Sequence, residues 1–282
     1  MNYKLYAMDT SFYNSIGSYS FDARCEMLNE LGFNATYLTL WDEAAWQDVN
    51  RLAQVKTTYG LDVAAVYTTL DIAGADDHAG NMRILRLVET IKGCSTVELA
   101  VVCSDKTIGP SDSAGDAQAA RWLERLIAAA ERNNVTLALY PHFYYWLERI
   151  EDAVRLCRLI DHPSLRAVFC GFHWYAVDGE RLQDRLAEAA PFLCLANVAG
   201  SRRVEGRWNG ITPTIEPLDD GELDNFALLG ALRRVGYSGM VGIQGFSVGG
   251  DAYTKLKRSI TVFRDIERRL DAHPEWAQLR WK

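Results

Sequence analysis

Two histidines stand where short apolar runs end. His142 follows Thr136 to Tyr140 by two positions, and His173 follows Leu165 to Cys170 by three. Imidazole titrates near neutrality, so either ring can carry a proton to or from a carbon or hydroxyl without a metal. Tyr140 offers a hydroxyl that suits an oxyanion at a carbonyl. The competing reading makes both histidines structural rings that donate to nearby carbonyls. Cys170 is a nucleophile or soft-metal ligand on one reading and inert packing at the end of an apolar strand on the other. Together Cys170, His142 and His173 would suit zinc, which takes thiolate and imidazole. Apart from that alternative the expectation is no metal and no cofactor. His78 and His162 fall in loop-like segments, and His273 in the tail.

Other side chains suit binding rather than proton transfer. Gln244 carries a neutral amide that can hold a sugar hydroxyl. Asn197 is a candidate of the same kind. Trp41, Trp146 and Trp174, with Phe143, Tyr144, Tyr145 and Tyr175 nearby in sequence, could stack on the apolar faces of a sugar. They could equally form a lid or a subunit interface. Ser201, Arg202, Arg203, Arg207 and Trp208 form a loop suited to a phosphate or other anion, or a solvated loop paired with Glu205.

These residues need elements to position them. β-branched, apolar or aromatic runs at 4–8, 35–40, 62–67, 96–102, 136–140, 165–170, 192–198 and 240–244 read as strands. Helical patterns follow at 21–32, 43–59, 80–92, 115–133, 149–160, 180–190, 223–235 and 253–270. Gly32, Gly60 and Gly236 sit where three helices should stop, in positions that favour a left-handed cap. Strand followed by helix, eight times over, predicts a parallel sheet closed into a single (β/α)8 barrel over 1–270, with a tail at 271–282. An open doubly wound sheet should show a glycine-rich phosphate turn after its first strand, and residues 9–14 hold none. In such a barrel the active site lies where strands end and the following loops begin. That rule selects Asp9, Trp41, Thr68, Cys103, Tyr140 with His142, Cys170 with His173, 197–203 and Gln244.

Bulk composition excludes several classes. With 282 residues, 49% of them hydrophobic and 24% charged, the chain has the makeup of a globular protein rather than a disordered one. A formal net charge of -7 disfavours nucleic acid, whose phosphates need clustered Lys and Arg. No apolar stretch reaches membrane-spanning length. Six cysteines without a CxxC pair suit a reducing compartment, and with no signal peptide ahead of the first strand the expectation is cytoplasmic.

The second half resembles the xylose isomerase-like family of sugar phosphate isomerases and epimerases, which also includes the endonuclease IV type of repair enzyme. Asn134 to His142 looks like its fifth strand, and Val168 to His173 like the sixth with its Asp-x-x-His ending. Pro217 to Leu223 is similar to its Pro-Leu-Gly-x-Gly segment, and Gly236-Tyr237-Ser238-Gly239 to its Gly-Tyr-x-Gly. The first 110 residues match only in the order of their elements. The resemblance implies a metal site of Glu, Asp, His and Glu on strands five to eight. Here those positions fall on Tyr140, Cys170, Ala199 or Asn197, and Gln244, a set without the carboxylates that hold a hard cation. His173, the second half of Asp-x-x-His, is the position that the resemblance points at substrate. The implied function is an isomerase, epimerase or lyase acting on a sugar, keto-sugar or polyol, metal-independent, with His173, His142 and Tyr140 catalytic. The alternative is a non-catalytic carbohydrate-binding protein of the same descent. A repair nuclease would need the missing ligands and a basic face. A homo-oligomer is a further expectation from the resemblance.

Overall fold

The computed structural model describes residues 2–206, 210–246 and 248–279. Arg207, Trp208 and Trp281 therefore lie outside the described residues. Eight parallel strands close into one barrel: β1 (Leu5–Ala7), β2 (Ala35–Thr39), β3 (Asp62–Asp71), β4 (Thr96–Val102), β5 (Thr136–Leu139), β6 (Leu165–Cys170), β7 (Leu193–Val198) and β8 (Met240–Ile243). Each strand pairs with its neighbour in sequence, and β1 pairs with both β2 and β8. Around them run α1 (Phe21–Glu30), α2 (Glu43–Asp48), α3 (Leu52–Tyr59), α4 (Ala79–Thr90), α5 (Asp116–Asn133), α6 (Ile150–Ile160), α7 (Gly171–Val177), α8 (Leu182–Ala189), α9 (Asn225–Arg234) and α10 (Ala252–Ala272). Among the described residues no helix is long and apolar enough to cross a membrane.

Local chemistry sets the helix ends. Asp42, Asp224 and Asp251 accept backbone N–H groups at the starts of α2, α9 and α10, supplying partners that the first turn lacks. Gly60 closes α3 at a φ of 72°, a left-handed conformation that costs glycine little. Between strands and helices lies the main apolar core, with Leu5, Leu38, Val66, Leu99, Leu137, Phe169 and Ile243 all buried.

The barrel interior differs, because tyrosines face alanines there. Tyr6, Tyr37, Tyr67 and Tyr140 share it with Ala35, Ala65, Ala100 and Ala138, so large rings fill the space that small residues leave. The rings of Tyr6 and Tyr37 stack, with centroids 5.6 Å apart and planes 9° apart. Tyr6 donates its hydroxyl to Asn197, and Tyr37 donates to Glu98. Gly242 makes the first bond possible: a Cβ there would lie 2.3 Å from Asn197 Oδ1 and 2.4 Å from the Tyr6 ring. Glu98 is wholly buried, and that burial pushes its carboxyl up to about 8.

The helix expected at 43–59 is broken at Val49–Arg51, and two further departures from the sequence reading affect the site. β3 runs on to Asp71 instead of ending at Tyr67, because its ladder with β4 continues from Thr68 opposite Leu99 to Asp71 opposite Val102. Asn81 of α4 fixes that extension by bonding the N–H and C=O of Asp71. After β6 there is no loop, since α7 begins at Gly171. The tail adds a 3-10 turn, Pro274–Ala277, whose Ala277 sits against Gly230 of α9.

Candidate active site

A cavity of about 1110 Å³ opens at the C-terminal ends of the strands, where a barrel places its chemistry. Its described wall includes His142, His173, Tyr140 and Gln244. Tyr140 and Gln244 lie just past β5 and β8, and His173 sits in the first turn of α7. Tyr67, Phe172, Ile215 and Met8 add apolar surface, and Trp41 and Phe246 meet edge to face at the mouth with centroids 5.8 Å apart.

The two imidazoles touch, with ring centroids 4.0 Å apart. Tyr145 stacks on His142, also at 4.0 Å, and Tyr140 meets His173 edge-on at 5.4 Å. Main-chain groups of Phe143 fix both tautomers. His142 Nδ1 lies 2.8 Å from the Phe143 carbonyl, which only accepts, so Nδ1 carries the proton and Nε2 keeps a lone pair. The Phe143 N–H donates to His173 Nδ1 at 3.3 Å, so in the neutral ring Nε2 carries the proton. Burial lowers His142 to about 4 and holds His173 well below the usual imidazole range, the neighbouring His142 adding to the second shift. Near neutral pH the pair is thus uncharged, with one proton acceptor and one proton donor.

Beside the imidazoles runs a chain of neutral groups. Tyr140 donates to Cys170 Sγ at 3.4 Å, and Cys170 donates to Gln244 Oε1 at 3.0 Å. Burial pushes the Cys170 thiol up to about 12, so it stays protonated. Among the described residues no group of three or more His, Cys, Asp or Glu could hold a metal ion. A hydroxyl, a thiol and an amide do not fit a divalent cation, whose desolvation needs anionic oxygen.

Several candidate binding residues lie elsewhere. Trp146 is buried away from the cavity: Tyr144 turns the chain at a φ of 70°, and the Trp146 indole donates to the Asp112 carbonyl at 2.8 Å over Gly115. Trp174 is one residue beyond His173 on α7, and a helix turns about 100° per residue, so it faces outward and donates to Glu180 O at 2.9 Å. Asn197 points into the barrel interior, held by Tyr6. Arg202 is an exposed partner of Glu216, with bonds of 2.8 and 3.1 Å, and Arg203 donates to the Tyr175 carbonyl and lies over its ring. Neither arginine is a free anion site. Asp9 lies behind the wall, where its carboxylate binds Thr39 and Arg24.

The strand-end rule missed residues that the loops deliver. Lys255 comes from the start of α10, and Pro213 to Pro217 follow the hairpin of Arg203–Gly206 with Gly210–Pro213. Tyr67 escaped because it was read as the last residue of its strand, and the rule selected Thr68, just beyond it.

The family model of the xylose isomerase-like TIM barrel matches residues 25–266. The chain belongs to that family. No curated protein matches it in sequence. Similar solved structures include the IOLI protein with a bound zinc atom, at 17% identity and a TM-score of 0.76, covering 93% of this chain and 97% of that one. The 3-keto-D-glucoside 4-epimerase of E. coli, at 17% identity and a TM-score of 0.74, covers 94% and 100%. L-ribulose 3-epimerase, at 17% and 0.73, covers both chains fully. At such identities the likeness is one of fold.

Proposed function

We propose that this xylose isomerase-like barrel is a metal-independent isomerase or epimerase of a sugar or keto-sugar, working by proton transfer next to a carbonyl. The observation that carries the proposal is the pair of touching, neutral imidazoles in opposite tautomers. His142 Nε2 takes the proton from the carbon beside the carbonyl, leaving an enediolate and an imidazolium that returns the proton to carbon. His173 Nε2–H hydrogen-bonds the oxygen where negative charge gathers. Tyr140 adds a second bond there once its hydroxyl leaves Cys170, a weak acceptor. Gln244 holds a hydroxyl, and Trp41 covers an apolar face of the ring. The family's epimerases support the reaction class, and the replaced carboxylates support the metal-independent form.

A second reading, a carbohydrate receptor without catalysis, draws on one observation: a histidine lowered to about 4 is a weak base. One experiment separates the two. Ketoses, keto-acids and polyols are titrated calorimetrically, and any that bind are followed by NMR in deuterated water. Solvent deuterium entering the bound compound, abolished in His173→Ala, is the expected result. Binding without exchange establishes the receptor instead.

A further inference from the structure

Lys255 is the one Lys or Arg among the described residues that line the cavity. The two carboxylates on the same wall are already matched. Glu216 is held by Arg202 at 2.8 Å, and Asp220 by Arg258 at 3.0 Å. The imidazoles there are neutral. Asp251, one turn before Lys255, directs its carboxylate at the start of its own helix and accepts from Tyr253 N at 3.1 Å and Thr254 N at 3.2 Å. No described residue accepts a bond from the half-buried Lys255 ammonium. Its stem lies along the loop before α10, where a Cβ on Gly250 would sit 3.6 Å from Lys255 Cε.

An ammonium taken partly out of water without a partner loses solvation, and a ligand anion restores the balance. We propose that Lys255 makes this cavity a site for a sugar acid, a polyhydroxy carbonyl compound bearing one carboxylate. The inference rests on the reading of the cavity as a sugar site and narrows its substrate class. A carboxylate fits better than a phosphate. One cation matches one negative charge, whereas a dianion needs several donors, and Lys255 is the one cation that the described lining supplies.

The test compares three ligands that share a ketose frame: 5-keto-D-gluconate, D-fructose and D-fructose 6-phosphate. Each is titrated calorimetrically at low ionic strength into the wild-type protein and into Lys255→Met, with thermal melting as the check on folding. The keto-gluconate is expected to bind the wild type about tenfold more tightly than fructose, an advantage that shrinks at about 0.5 M salt. In Lys255→Met that advantage disappears while fructose binding is unchanged. A wild type without the preference, a variant that keeps it, or tighter binding of the phosphate overturns the proposal. Deuterium exchange into bound fructose with no preference for the acid leaves the proton-transfer reading intact and removes this one. Failure of all three ligands to bind removes both.

Discussion

Glu98 is buried and His142 half-buried, their protonation shifts in opposite senses, and their pH signatures follow by linkage. His142 ionises at 6.5 when unfolded and about 4 when folded, so the unfolded chain binds the extra proton between those values. The stability it contributes is complete above pH 6.5 and is lost as pH falls toward 4, with His173 acting in the same sense. Glu98 ionises at 4.5 when unfolded and about 8 when folded, so its contribution is complete below pH 4.5 and is lost as pH rises to 8. Between pH 6.5 and 8 Glu98 should therefore make the protein less stable as pH rises, by up to about 1.4 kcal/mol per pH unit. Glu98→Gln mimics the protonated acid and should flatten that stretch, as read from urea midpoints; an unchanged slope would show that Glu98 ionises normally. Side-chain candidates were legible wherever a strand end alone decided direction, as for Tyr140, His142 and Gln244. Trp146 and Trp174 were named as binding residues but are pointed away from the cavity by a left-handed turn and a helix phase, whereas Asn197 points inward below the cavity, where Tyr6 holds it.

At the scale of elements, the order of strands and helices was readable because each strand is a short apolar run and each helix repeats its apolar residues every three or four positions. Their ends were less readable where side chains from another element extend or replace them. Asn81 prolongs β3 from a distance of ten residues, and nothing within the strand itself announces it. α7 begins immediately after Cys170, which the aromatic run there did not reveal. Helix starts can be tested singly. Asp224 accepts the Ala227 N–H at 3.0 Å to begin α9. Asp224→Ala should cost about 1 kcal/mol in urea denaturation, and Asp224→Ser should recover most of it. Equal losses in both variants would assign the effect to something other than the cap.

For the molecule as a whole, eight repeats of strand and helix announced the barrel. The polar layer across its interior was hidden, because Tyr6, Tyr37, Glu98 and Asn197 sit on strands far apart in sequence and meet only when the sheet closes. Gly242 is the position on which that layer depends. Gly242→Ala would drive a methyl group against Asn197 and Tyr6, and a loss of about 1–3 kcal/mol is expected. A variant as stable as the parent would mean that the layer shifts freely. The stacked pair of Tyr6 and Tyr37 has a consequence for traffic. With that pair buried across the tube, a solute has no route through the axis, so any ligand must enter and leave the cavity by the same mouth, where Trp41 and Phe246 stand.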